Sequence, residues 1–201
     1  MLLQARANVD ARDNNQQTPL SLSACYGIEP IIPQLLVNAR ADVEAIDNWG
    51  WTPLFWAAFR DFDRTARVLT TANVKIERRD GKRKTPMHWA AERGSVKTMR
   101  LLLSVLPEID LEARDESGWT PLFWAAYQDK VDAMQILIGQ DADKNALDNR
   151  QWTPLFWAAY AGRRAAVEYL LQRRASKTIV DREGKTARNW AKTDEIARLL
   201  G

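Results

Sequence analysis

Cysteine is almost absent from this chain. Cys25 is the only one in 201 residues, so no disulfide can close within it. That suits a reducing compartment. Histidine is equally scarce: His88 stands alone, which leaves almost no room for a His-based triad or a zinc site. Long apolar runs are missing too. Stretches such as Leu101-Leu102-Leu103 fall far short of the ~20 residues that span a bilayer. Met1-Leu2-Leu3 runs at once into Gln4 and Arg6, which is not a secretory pattern. The expectation is an intracellular protein, cytoplasmic or nuclear, with no membrane partner. Neither a glycine-rich phosphate loop nor a nucleophile motif occurs. Acidic pairs such as Asp61/Asp63 and Asp181/Glu183 fall in turn-like segments, where carboxylates are solvated. Catalysis and a cofactor are therefore not expected. The net charge of +3 is too small to argue for nucleic acid by itself.

What the chain does have is a period. Thr-Pro-Leu-Phe-Trp-Ala-Ala occurs three times, starting at Thr52, Thr120 and Thr153. Thr85-Pro86-Met87-His88-Trp89 is a near copy, Thr18-Pro19-Leu20 precedes them, and a degenerate Thr186-Ala187 follows. The threonines are spaced by 34, 33, 35, 33 and 33 residues. Five residues before each stands an aspartate: Asp13, Asp47, Asp80, Asp115, Asp148 and Asp181. A period of this length means a stacked supersecondary unit.

The local chemistry describes that unit. Thr followed by Pro starts a helix, with the hydroxyl expected to cap a free N–H and proline suited to the first turn. This first helix should end near Gly27, Asp61, Gly94, Asp129 and Gly162, residue types that tolerate a left-handed backbone. A second helix follows, its stripe visible as Ala133, Met134, Leu137 and Ile138, and as Ala166, Val167, Leu170 and Leu171. A polar return segment leads to the next aspartate. The repeats divide as 13–46, 47–79, 80–114, 115–147 and 148–180, with a short capping repeat at 181–201. Residues 1–12 read as the tail of a truncated preceding repeat, with Leu2-Leu3 ending its second helix. The expectation is a chain cut from a longer protein.

Repeat 47–79 looks weakest, because Thr65, Ala66 and Thr70 stand where its neighbours place larger apolar residues. It should fray first. The amides of 62–71 are expected to exchange faster than those of the helices in 115–180, and the reverse order would count against this.

Asp-x-x-Gly-x-Thr-Pro-Leu, two helices and a return loop such as Asp141-Ala142-Asp143-Lys144-Asn145 together resemble the ankyrin repeat over nearly the whole chain. The tryptophan-rich version resembles repeats in large multidomain proteins of filamentous fungi. The resemblance implies an all-α solenoid of helix–turn–helix units with β-hairpin-like fingers. It also implies protein binding on a concave face. The chain departs from the family where histidine usually follows Thr-Pro-Leu. Only His88 keeps that place, while Ser21, Phe55, Phe123 and Phe156 replace it. Aromatic packing is expected to take over from the polar brace, with Trp56, Trp89, Trp124 and Trp157 as packing residues beside it.

In the family, the residue before the threonine and the two after Ala-Ala line the concave face. Carried over, these are Trp51, Phe59 and Arg60; Lys84, Glu92 and Arg93; Trp119, Tyr127 and Gln128; and Trp152, Tyr160 and Ala161. Gln17, Cys25 and Tyr26 come from the first repeat. Aromatics interleaved with basic residues are hot-spot types. A groove for a protein or peptide with apolar anchors and acidic groups is the leading expectation, against which stands packing at the base of the fingers. Lys75, Arg78, Arg79, Lys82, Arg83 and Lys84 make a basic finger at 75–84, an alternative phosphate contact unaccompanied by any groove-reading motif. A further alternative is an architectural or regulatory array within a larger multidomain protein.

Overall fold

The computed structural model describes residues 8–28 and 30–201. The Leu2-Leu3 expectation lies outside the described residues. The chain divides into two compact units. One is formed by the described residues up to Ala90 together with Lys97–Ile109, the other by Ala91–Val96 with Asp110–Gly201. Short helices alternate in pairs: α1 (Pro19–Tyr26) with α2 (Ile31–Asn38), α3 (Pro53–Arg60) with α4 (Asp63–Thr71), α5 (Pro86–Arg93) with α6 (Val96–Val105), α7 (Pro121–Tyr127) with α8 (Val131–Gly139), and α9 (Pro154–Tyr160) with α10 (Arg164–Gln172). A 3-10 turn, Ala187–Trp190, stands before α11 (Asp194–Leu200). In the first unit α3 packs on α1 and α4 on α2; in the second α9 packs on α7 and α10 on α8.

The punctuation works as the residue types require. Thr18, Thr52, Thr120 and Thr153 have extended backbones, and proline opens the helix that follows each. Gly27, Asp61, Gly94, Asp129 and Gly162 all have positive φ and turn the chain between the two helices. At Gly27 the choice of residue is forced. Its φ is positive, and a Cβ there would run into the Phe62 ring.

The hydroxyl caps, however, form at only some of the threonines. The Thr18 hydroxyl accepts the Ser21 N–H at 3.3 Å and that of Thr153 accepts the Phe156 N–H at 3.4 Å. At Thr52 and Thr120 the same N–H is taken by the threonine's own carbonyl, at 3.1 Å in both cases. The Thr120 hydroxyl is buried with no partner. Thr85 also spends its carbonyl on the third residue, but His88 Nδ1 lies 2.9 Å from its hydroxyl and accepts its N–H at 3.1 Å. The two sites should respond oppositely to loss of the hydroxyl. Thr85→Val is expected to cost about 1 kcal/mol, and Thr120→Val to be neutral or slightly stabilising, because an unpaired buried hydroxyl is a penalty rather than a contribution. Guanidinium unfolding of the two variants checks this; equal losses would refute it.

Burial follows the sequence pattern in α4 and α8 but not in α2, which buries only Pro33 and leaves Ile31, Ile32 and Leu35 exposed. α4 buries Thr65, Ala66 and Leu69, whereas α8 buries Ala133, Met134, Ile136, Leu137 and Ile138. Less apolar surface is removed from water at α4. In place of strands, the described fingers are tight turns. In each, the aspartate N–H donates to the carbonyl four residues on, as from Asp47 to Trp51 at 3.1 Å and from Asp148 to Trp152 at 2.9 Å.

Neighbouring return loops are stitched by side-chain acceptors one repeat back. Glu44 accepts the Lys75 N–H at 2.6 Å, Glu112 that of Asp143 at 2.8 Å, and Asn145 that of Ser176 at 2.8 Å. Partial burial pushes the Glu112 carboxyl above the ordinary value, although the Asp143 N–H pulls the other way.

Candidate functional site

The aspartate of each finger is a hydrogen-bond hub, and from Asp47 onward it also holds tryptophan. Its Oδ1 accepts backbone N–H groups two and four residues ahead. In Asp148 these come from Arg150 at 2.8 Å and Trp152 at 2.9 Å. The Asp148 Oδ2 also accepts two indoles, from Trp157 of the same repeat at 2.8 Å and from Trp119 of the preceding one at 3.0 Å, whereas Asp47 and Asp115 each accept one, from Trp56 and Trp124. Asp80 accepts two, from Trp89 at 2.9 Å and Trp51 at 3.2 Å. Asp181 is held by Trp190 at 2.7 Å and by Trp152. Burial alone would raise Asp181, but the N–H groups of Lys185 and Glu183 and the two indoles bring it below the ordinary aspartate value.

The rings stack in the same register. Trp119 lies between Trp124 and Trp157, with centroids 4.6 and 4.7 Å away. Trp51 lies between Trp56 and Trp89, both at 4.6 Å. Phe55, Phe123 and Phe156 are fully buried and face Trp51, Trp119 and Trp152 at 6.1, 5.9 and 5.6 Å. Aromatic packing thus occupies the place of the histidine brace.

This geometry places three rings of the expected anchor row inside the fold. Trp51, Trp119 and Trp152 are only 8%, 7% and 6% exposed. Each is intercalated between tryptophans of two repeats, with its N–H spent on the next aspartate. They are glue between repeats rather than exposed anchors. Lys84 is buried as well. It is 3% exposed, with Nζ 3.8 Å from the Trp89 ring centroid, a cation–π contact in the position that Trp51, Trp119 and Trp152 fill in their repeats.

The remaining candidates keep accessible surface. Phe59 and Tyr127 are half-buried, packed on Trp51 and Trp119 at 5.4 Å each. Tyr160 is 48% exposed over Trp152 at 5.5 Å. Arg60 and Arg93 are exposed, and the Arg60 guanidinium lies 5.6 Å from the Phe59 ring. In the first repeat Tyr26 is exposed, whereas Gln17 and Cys25 are buried.

In the basic finger, Arg78 pairs with Glu44 at 3.0 Å and Lys84 is withdrawn as described. Lys75, Lys82 and Arg83 remain exposed. Trp49, which the sequence reading passed over, is 52% exposed at the turn after Asp47, edge-on to Trp56 at 5.7 Å.

Among the described residues no group of His, Cys, Asp and Glu could hold a metal ion, and no helix is long and apolar enough to cross a membrane. The family model for ankyrin repeats (three copies) matches residues 1–80, 65–148, 87–181 and 131–200. The chain belongs to the ankyrin-repeat family, and its fold is the all-α ankyrin solenoid. Ankyrin repeats are a protein–protein interaction fold. No curated protein matches the sequence.

Among solved structures, the chain is similar to the ankyrin repeat domain of Bcl-3, described as a unique member of the IkappaB protein family. Identity is 25% and the TM-score 0.82, covering 99% of this chain and 88% of that one. It also shares the fold of the human ASB11 ankyrin repeat domain, at 24% identity and TM-score 0.86, with the same coverage of both chains.

Proposed function

We propose that the chain is a non-catalytic interaction module that docks a protein or peptide partner on its concave face, in the cytoplasm or nucleus. The reading rests on Tyr160, a ring half open to solvent and held from beneath by a buried tryptophan. A rigid aromatic with a preset orientation loses little entropy on binding. Tyr127 and Arg93 in the same unit, and Phe59 and Arg60 in the other, are the further contact candidates. Trp51, Trp119, Trp152 and Lys84 serve by fixing the backbone and rings around them.

The test uses the purified chain as bait in source lysate, beside a Tyr127→Ala/Tyr160→Ala variant that leaves the buried tryptophans intact. A partner held by the wild type is expected to be lost from the variant, since removal of hot-spot rings costs about 2 kcal/mol or more. Circular dichroism should show both chains equally folded. Equal retention by both would favour an array that merely spaces or regulates attached domains.

A further inference from the structure

The second compact unit carries an open cavity of about 380 Å³ lined by Tyr127, Tyr160, Ala161, Arg163, Trp190 and Lys192. Three aromatic rings and two cations line it, and no carboxylate does. Arg163 is held in place by its own Nε, which donates to the Tyr127 carbonyl at 2.8 Å. Its terminal guanidinium nitrogens have no partner among the described residues. Lys192 is tied by its backbone N–H to the Ala159 carbonyl at 3.0 Å. Its stem runs so close over Gly162 that a Cβ there would meet the Lys192 Cδ at 2.9 Å.

The carboxylates of this region are engaged elsewhere. Asp129 accepts the Ala166 N–H at 2.8 Å, Glu195 pairs with Arg164, and Asp181 holds the indoles of Trp190 and Trp152. Neither Arg163 nor Lys192 forms an ion pair with a described residue. Two uncompensated cations therefore border an aromatic-walled recess.

We propose that this recess receives an acidic side chain of a bound peptide, with the apolar residue next to it packed on Tyr160 and Trp190. The inference deepens the concave-face reading and rests on it. A guanidinium and an ammonium give an incoming carboxylate charge-assisted hydrogen bonds. The rings supply apolar area and narrow the solvent around those bonds, which strengthens them relative to an open surface. Arg163 arrives pre-oriented by its bond to the Tyr127 carbonyl, so less side-chain freedom is lost on binding.

The test titrates the isotope-labelled chain with the peptide acetyl-Glu-Asp-Leu-Phe-Glu-amide, followed by NMR of the Trp190 indole and the Arg163 Nε–H. Two controls carry Gln and Asn, or lysines, in place of the acids. Saturable shifts of both reporters are expected with the acidic peptide, about tenfold weaker binding of the neutral one, and none of the basic one. An Arg163→Gln/Lys192→Gln variant should lose about tenfold, and Lys192→Gln alone, which spares the Tyr127 bond, a smaller part of it.

Absence of saturable shifts at millimolar acidic peptide would overturn the proposal, and so would equal affinity for the neutral peptide. Shifts centred on Phe59 and Arg60 would also overturn it while leaving concave-face docking standing. Loss of the lysate partner from the Tyr127→Ala/Tyr160→Ala bait, alongside a failed acidic titration, would separate the two in the same way.

Discussion

Truncation of Trp119 to alanine is expected to lower stability by about 3–5 kcal/mol, the range for a large aromatic removed from a packed core. The ring is 7% exposed and lies between Trp124 and Trp157, with Phe123 and Tyr127 also against it. Its loss opens a cavity between two repeats and leaves Asp148 short of one N–H donor. Marginal domains hold only ~5–15 kcal/mol in total, so the variant should unfold at much lower guanidinium. Tyr160→Ala, at a position 48% exposed, should cost under about 1 kcal/mol. The pair discriminates glue from surface. If Trp119→Ala were as mild as Tyr160→Ala when followed by circular dichroism, the intercalated arrangement would be wrong.

Asp148 is the second expected weak point. Four N–H groups converge on its carboxylate: two from the finger backbone and two from indoles of successive repeats. Asp148→Ala strands the buried ones, and a stranded buried donor costs ~1–3 kcal/mol, so a total of about 4 kcal/mol is expected. Asp13 provides the internal comparison. It accepts only the backbone N–H groups of Asn15 and Gln17 and is exposed. Leu22 stands where the later repeats carry the nine-residue tryptophan. Asp13→Ala should cost about 1 kcal/mol. Comparable losses in the two variants, measured by guanidinium unfolding, would show that the indoles contribute nothing to the hub.

Much of the fold was legible because the punctuation is local. The run from Thr-Pro to a left-handed Gly or Asp depends on the φ/ψ preferences of those residues alone, and the positive φ values of Gly27, Asp61, Gly94, Asp129 and Gly162 follow from it. The burial of Met134, Leu137, Val167 and Leu170 follows from the spacing of apolar residues on a helix. So does the replacement of the histidine brace by Phe55, Phe123 and Phe156, since a phenylalanine beside small buried alanines has no polar group to satisfy.

The candidate site was only half legible. The resemblance to the ankyrin family implies that Trp51, Trp119 and Trp152 share one face, but whether that face is open depends on what the next repeat lays over it. The covering ring lies a full repeat away in the chain, as Trp157 does over Trp119. The hydroxyl caps formed at Thr18 and Thr153 but not at Thr52 and Thr120. The same Thr-Pro-Leu-Phe run uses the hydroxyl at Thr153 and the carbonyl at Thr120, so the motif alone does not decide which oxygen takes the N–H three residues on.

The Arg163 and Lys192 recess carried no motif at all, because its members come from three successive repeats. What the sequence determined by itself was the period, the helix ends and the apolar stripes, all encoded in short-range backbone and side-chain preferences. What only the tertiary structure decided was which aromatics are glue and which are surface, because burial belongs to a pair of surfaces and not to either residue alone.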